Sequence, residues 1–180
     1  MKKKTMIELH RISCEEFKKA RKIPLVVILD DVRSLNNIGS VFRTSDAFVI
    51  ERIMLCGITA TPPHPDIHKT ALGAEDSVEW EYCERVTDAI EQLRAAGYVI
   101  CSVEQVNGSV SLNDFKVEPG KHYAVILGNE VKGVSQQAVD MSDYCIEIPQ
   151  YGTKHSLNVS ITAGIVIWDF FNKMIFSTKV

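Results

Sequence analysis

The chain has 180 residues, 46% hydrophobic and 24% charged, with a formal net charge of −3. That is enough apolar material for one substantial core, and too balanced a composition for a disordered or disulfide-stapled chain. Five scattered cysteines, Cys14, Cys56, Cys83, Cys101 and Cys145, form no paired spacing, so reduced thiols and an intracellular protein are expected.

The start MKKKTMIELHR is basic but has no apolar signal region behind it, and charged or polar residues interrupt every later hydrophobic run. A cytoplasmic protein with no membrane partner is the expectation. Residues 1–22 hold eight Lys or Arg against three Glu, whereas the remainder carries −8. Such a basic, helical extension can contact phosphate locally through Lys18, Lys19, Arg21 and Lys22 while the whole chain stays acidic. A merely solvated helix is the competing reading.

After Pro24, the run LVVIL at Leu25–Leu29 predicts a strand buried on both faces, followed by a polar turn through 30–37. Gly39–Val49 reads as a helix with Val41, Ala47 and Phe48 on its apolar stripe, and Arg43 near the carboxyl end of the strand. Arg52–Leu55 is the next strand. The stretch ATPPHPD, with three prolines, is incompatible with a continuous helix. Ser77–Tyr82 predicts a short strand, Val86–Ala96 a helix stopped by Gly97, and Tyr98–Val103 a buried strand. The region 104–119 is irregular, with a turn at Asn107-Gly108. His122–Leu127 is a strong strand, followed by a Gly-containing loop and a helix near Ser135–Met141. Tyr144–Ile148 then reads as a strand, and Leu157–Phe171 as a long apolar helix. This alternation predicts one α/β domain over 23–180, built on a mostly parallel central sheet flanked by helices.

Three separated segments carry the candidate chemistry: LNNIGSVFRTSDAF at Leu35–Phe48, ILGNEVKGVS at Ile126–Ser135 and IPQYGTKHSLNVS at Ile148–Ser160. Each sets glycine or asparagine and polar groups beside an apolar run, as expected where loops leave a buried sheet to form a site. The first contributes Asn37, Gly39, Arg43 and TSDAF. The second reads LGNExxGxS through Leu127, Gly128, Asn129, Glu130, Gly133 and Ser135. The third reads IP, a variable loop and SLNVS through Ile148, Pro149, Ser156, Leu157, Asn158, Val159 and Ser160. In these residues and their order the chain resembles the SpoU, or TrmH-like, branch of the SPOUT RNA ribose 2′-O-methyltransferases, over roughly Pro24–Phe171.

The resemblance implies methyl transfer from S-adenosylmethionine to an RNA ribose 2′-oxygen, with S-adenosylhomocysteine as product. It also implies a C-terminal trefoil knot within about 122–175, which ordinary topology rules argue against. By resemblance the cofactor is surrounded by Val103, Glu104, Leu127, Gly128, Asn129, Glu130, Ile148, Pro149, Ser156 and Leu157, with Gly128 suited to a close backbone approach. Arg43 becomes the central reactive-site residue. A guanidinium is a poor general base, having five donors and no acceptor, so orienting the nucleotide and stabilising developing oxygen charge are its first expected roles.

Asn37 either positions Arg43 or RNA, or caps a helix. Glu130 either holds Arg43, organises the Asn129 loop or orders the helix start near Ser135. Ser156 and Asn158 offer a hydroxyl and an amide beside the reacting nucleotide, with fold-supporting hydrogen bonds as the alternative. Lys154 can meet phosphate or be an ordinary exposed lysine. His64, His68 and His155 supply no convincing metal-ligand set, and no metal is expected. The family also implies a homodimer with RNA across the shared face, where Phe42 and Phe48 are either interface or interior residues. The expected substrate is tRNA, with ribosomal RNA as runner-up. A non-catalytic RNA-binding protein of the same fold is the main alternative, and an oxidoreductase lacks an early GxGxxG.

Overall fold

Seven strands form one sheet in the order β3-β2-β1-β6-β4-β7-β5 in the computed structural model, which describes residues 1–5, 7–9 and 11–176. The strands are β1 (Ile23–Asp30), β2 (Ile50–Cys56), β3 (Glu79–Cys83), β4 (Tyr98–Val103), β5 (Val110–Ser111), β6 (His122–Leu127) and β7 (Tyr144–Glu147). Every neighbouring pair runs parallel, from Val26 beside Ala124 in β1 and β6 to Val110 beside Ile146 in β5 and β7. A parallel sheet must be covered on both faces, which explains why its central strands are continuous apolar runs.

Alternation within β1 divides the core. Leu25, Val27 and Leu29 face a layer containing α2 (Leu35–Ala47), α3 (Pro65–Ala71) and α7 (Val159–Phe176). Val26 and Ile28 face α5 (Val86–Ala95) and α6 (Gln136–Asp140), through Ala89, Ile90, Leu93 and Ala138. On the first face Phe170 stacks on Phe115 and meets Tyr123 edge-on, with both centroids 5.6 Å away. Phe42 is fully buried there, which settles it as interior; Phe48 is half-buried and packs on Trp168 and Phe171.

Several boundaries differ from the sequence-based expectations for local reasons. The polar turn after β1 is shorter, because Ser34 accepts the Asn37 N–H and starts α2 at Leu35. The third proline of ATPPHPD opens a helix: Pro65 sits in the first turn of α3, and His64 caps it by accepting the Asp66 N–H. One turn of helix, α4 (Ala74–Ser77), delays β3 until Glu79. The irregular region 104–119 supplies the edge strand β5, and α7 starts at Val159 instead of Leu157.

In the leading segment, α1 (Cys14–Lys19) begins with a reciprocal capping box between Ser13 and Glu16 and buries Phe17 against the core. The expected helix over 1–22 is thus a single helix of six residues after a short 3₁₀ turn at Ile7–Leu9; Met6 and His10 lie outside the described residues. All five cysteines are free. Among the described residues no helix is long and apolar enough to cross a membrane.

Gly39 of the first motif has a packing reason to be glycine. A β-carbon there would stand 2.2 Å from both the Ile67 carbonyl oxygen and Thr70 Oγ1, so α2 and α3 touch through bare backbone. Replacing Gly39 with Ala should destabilise the protein by about 1–3 kcal/mol through forced separation of the two helices. Urea unfolding would show this as a lowered midpoint at constant slope, and an unchanged midpoint would contradict the contact.

Candidate active site

The strands β6, β4 and β7 lie side by side and parallel, so the loops leaving their carboxyl ends converge, as ligand-binding loops do in open α/β sheets. They enclose a cavity of about 730 Å³, within the range of small-molecule sites. Its walls are Val103–Val106 after β4, Leu127–Val134 after β6, and Ile146–Ile148, Gln150 and His155–Val159 after β7. Gln136 and Val139 of α6 and Thr162 of α7 complete it. Every residue expected around the cofactor lines this cavity except Pro149.

Two glycines set the shape of the β6 loop. At Gly128 a β-carbon would lie 2.1 Å from Gly133 C and Val134 N, so the close approach expected of this residue is to the chain's own backbone. Gly133 has φ +71° and faces Glu104 Oε2, which also accepts the Val134 N–H at 2.9 Å. Between them, Asn129 and Gly133 exchange backbone hydrogen bonds of 3.0 and 2.9 Å. The Asn129 side chain accepts from the N–H groups of Val131 and Lys132 and donates to the Asp31 carbonyl. The loop is thereby fixed to β1 as well as β6.

A polar chain joins all three motifs. Asn158 Nδ2 donates to Asn37 Oδ1 at 3.2 Å, and Asn37 Nδ2 donates to Glu130 Oε1 at 3.0 Å. Glu130 also accepts the Ser34 N–H at 2.9 Å and the Arg33 N–H at 3.0 Å. It therefore anchors the turn before α2, and it neither pairs with Arg43 nor orders the start of α6. That start is held by Asp30, whose Oδ2 accepts the Ser135 N–H at 2.9 Å. Asn158 Oδ1 accepts from the Ser160 N–H and hydroxyl, so this residue caps α7 while reaching Asn37. Asn37 is nearly buried and does not line the cavity.

Arg43 is exposed on the outer side of α2, forms no hydrogen bond or ion pair among the described residues, and lies outside the cavity wall. Ser156 and Leu157 do line the cavity and are exposed, as is Lys154 in the same loop. Gln105 is a lining residue that no sequence signal indicated; its Nε2 donates to the His155 carbonyl at 3.2 Å and ties the β4 loop to the β7 loop. In the leading segment Lys18, Lys19 and Arg21 are exposed, whereas the Lys22 ammonium donates to the Phe17 carbonyl and sits over its ring. Among the described residues no group of three His, Cys, Asp or Glu is placed to hold a metal ion.

Burial works against ionisation of Glu130, but the N–H groups of Arg33, Ser34 and Glu130 itself, with the Asn37 amide, outweigh it and hold the carboxyl below its ordinary value of 4.5. A depressed folded pKa gives stability that is present above the unfolded value and is lost as pH falls below it. Thermal unfolding followed from neutral pH down to pH about 3 should therefore show a decline that is shallower in Glu130→Gln. At neutral pH that variant should be less stable by about 1 kcal/mol, a modest figure because the side chain is exposed. Superimposable pH profiles would contradict the assigned hydrogen bonds.

The model of the SpoU rRNA Methylase family matches residues 24–168. The chain is similar to an uncharacterized tRNA/rRNA methyltransferase of Borreliella burgdorferi, at 30% identity over 158 residues covering 86% of this chain and 66% of the other. Among solved structures it is similar to an AdoMet-bound rRNA methyltransferase from Sinorhizobium meliloti, with TM-score 0.78, 26% identity, and coverage of 87% of this chain and 59% of that one. It is likewise similar to a SpoU methyltransferase from Streptomyces viridochromogenes in complex with AdoMet, with TM-score 0.74, 26% identity, and coverage of 86% and 59%. The chain spans less than two thirds of the length of each of these three proteins. A parallel sheet whose carboxyl-end loops close one cavity, in a sequence matched by one family model over nearly all of that sheet, places this chain in the SpoU rRNA methylase family.

Proposed function

We propose that the chain transfers the methyl group of S-adenosylmethionine to a ribose 2′-hydroxyl of RNA, most plainly of tRNA, with ribosomal RNA as the second substrate class. The observation that carries this reading is the convergence of the second and third motif loops with Val103–Val106 on one cavity. Similar structures from Sinorhizobium meliloti and Streptomyces viridochromogenes are described with AdoMet. The lining suits that ligand: Val103, Leu127, Ile146, Ile148 and Leu157 offer apolar surface, while Glu104, Gln105, Asn129, Ser156 and loop backbone offer polar contacts. When bound, the ligand supplies a sulfonium-linked methyl group that is already electrophilic.

The protein's task is then alignment and removal of a hydroxyl proton. Asn158, Asn37 and Glu130 act as positioning residues, because their hydrogen bonds fix the β7 loop, α2 and the β6 loop relative to one another. Ser156 presents a hydroxyl at the cavity wall, and Lys154 a charge for phosphate nearby. Arg43 orients the nucleotide and stabilises charge on the attacking oxygen. Because it stands outside its own chain's cavity, we assign that action to a homodimer, in which Arg43 of one copy meets the cavity of the other.

The surface of α7 supports the dimer. Ile161, Ile165, Trp168 and Ile175 are exposed at helical spacing, an apolar stripe that a monomer would leave in water. Phe48, at the end of α2, packs on Trp168 with centroids 5.5 Å apart, so the helix bearing Arg43 and the stripe share one surface. Residues 23–180 serve as the catalytic unit and residues 1–22 as a basic RNA contact, with α7 passing through a preceding loop as the knot within 122–175. The return of α7 onto β1 and β6, after the chain has left from β7, accords with that path. Free thiols accord with a cytoplasmic location.

Site-resolved ribose-methylation maps of cells with and without the gene test the reaction and its substrate together. One 2′-O-methyl position, in tRNA by preference, should vanish; identical maps would remove the reading. In single-turnover assays at saturating RNA and S-adenosylmethionine, Arg43→Ala should slow transfer by about 10²–10³-fold. Unchanged transfer with weaker RNA binding would reduce Arg43 to a binding residue. Trp168→Glu should convert the dimer to monomer and abolish transfer; a fully active monomer, seen by mass measurement at assay concentration, would contradict the shared site.

A further inference from the structure

We propose that a second cavity, at the β3 edge of the sheet, takes one unstacked nucleobase of the RNA, with the basic residues around the end of α1 holding its phosphates; this rests on the RNA reading above. The cavity measures about 470 Å³ and shares no lining residue with the motif cavity. Its apolar walls are Pro62, Pro63 and Trp80, and its polar ones include His64, His68 and Glu75.

In their neutral forms the two imidazoles would hold their protons on opposite nitrogens. His64 Nδ1 accepts the Asp66 N–H at 3.1 Å, so the neutral ring carries its proton on Nε2 and offers a donor there. His68 Nδ1 lies 2.5 Å from Glu75 Oε1, and the Glu75 side chain is only 8% exposed. Burial opposes ionisation of Glu75, yet nearby N–H groups and the His68 ring overcome it and lower its pKa. Facing a carboxylate, His68 keeps a proton on Nδ1, so that the ring in its neutral form offers an acceptor at Nε2. One donor and one acceptor beside a tryptophan and two proline rings match the edge and the flat faces of a base.

The surroundings select RNA over a basic peptide. Helix α1 packs against α4, and Cys14 Sγ donates to the carbonyl of Asp76, itself a lining residue. The six residues of α1 span about 9 Å, which keeps its last turn, with Lys18 and Lys19, and the following Arg21 near the cavity. These three side chains are exposed and form no ion pair among the described residues. They would attract phosphate and repel a cationic segment, while the wall itself carries the Glu75 and Asp76 carboxylates, one Glu75 oxygen bonded to His68 and the other buried without a hydrogen-bond partner among the described residues.

The chain has two tryptophans, so full-length protein carrying fluorotryptophan gives two fluorine resonances, assigned with Trp168→Phe. Adding a single-stranded oligoribonucleotide should shift the Trp80 signal. A protein with His64→Asn, which keeps a capping acceptor, and His68→Ala should bind RNA at least about fivefold more weakly while binding S-adenosylmethionine as wild type does. Native RNA affinity in that variant, or a Trp80 signal that moves only with a basic peptide, overturns the subsite while methyl transfer by the wild type leaves the proposed function standing. Absence of both RNA binding and methyl transfer in the wild type overturns the two together.

Discussion

Asn37 is the residue on which the arrangement turns. Its amide nitrogen bonds Glu130 of the β6 loop, and its amide oxygen accepts from Asn158 at the start of α7. These partners stand 93 and 121 residues further along the chain. An amide is suited to this because it donates and accepts at once, which neither a carboxylate nor an ammonium does. With the Asn37 side chain nearly buried between two exposed partners, loss of either contact would leave one of its polar atoms unpaired.

That link matters because the cavity is assembled from loops, and loops by themselves drift. The sheet brings the ends of β4, β6 and β7 together, but side-by-side strands do not fix where a loop of several residues goes next. Gly128 and Gly133 fold the β6 loop onto itself, Glu104 ties it to the β4 loop, and Gln105 ties that loop to His155. The result is a hydrogen-bonded frame around a cavity with both polar and apolar walls. Such preorganisation is what an alignment-dependent methyl transfer demands, since small displacements weaken it strongly.

Much of the architecture could be read from residue order alone. Leu25–Leu29 and His122–Leu127 are continuous apolar runs, and only burial on both faces explains such runs in short strands. The α3 helix escaped because three prolines ordinarily break helices, and only the position of Pro65 in the first turn, behind a capping His64, reverses that rule. A two-residue strand such as β5 carries no periodicity to detect. For the site, the family resemblance names nine of the residues that line the cavity, whereas Gln105, Val106, Gln136, Val139, Ile146, Glu147 and Thr162 enter it only through the fold, and the partners of individual side chains stay open. For Glu130 the sequence leaves open Arg43, the Asn129 loop and the helix start near Ser135, whereas its partners are the N–H groups of the turn before α2 and the Asn37 amide. Gly128 suggested a close ligand, whereas the close neighbour is Gly133. Contacts between distant segments depend on three-dimensional registration that no local pattern encodes.

The central claim is that the cavity and its frame deliver a methyl group to a ribose oxygen. The most direct measurement incubates purified full-length protein with isotope-labelled S-adenosylmethionine and unmodified RNA, then digests the RNA to nucleosides and identifies the labelled product by mass. The account predicts label in a 2′-O-methyl nucleoside. Label in a base, or none in any RNA offered, would contradict it.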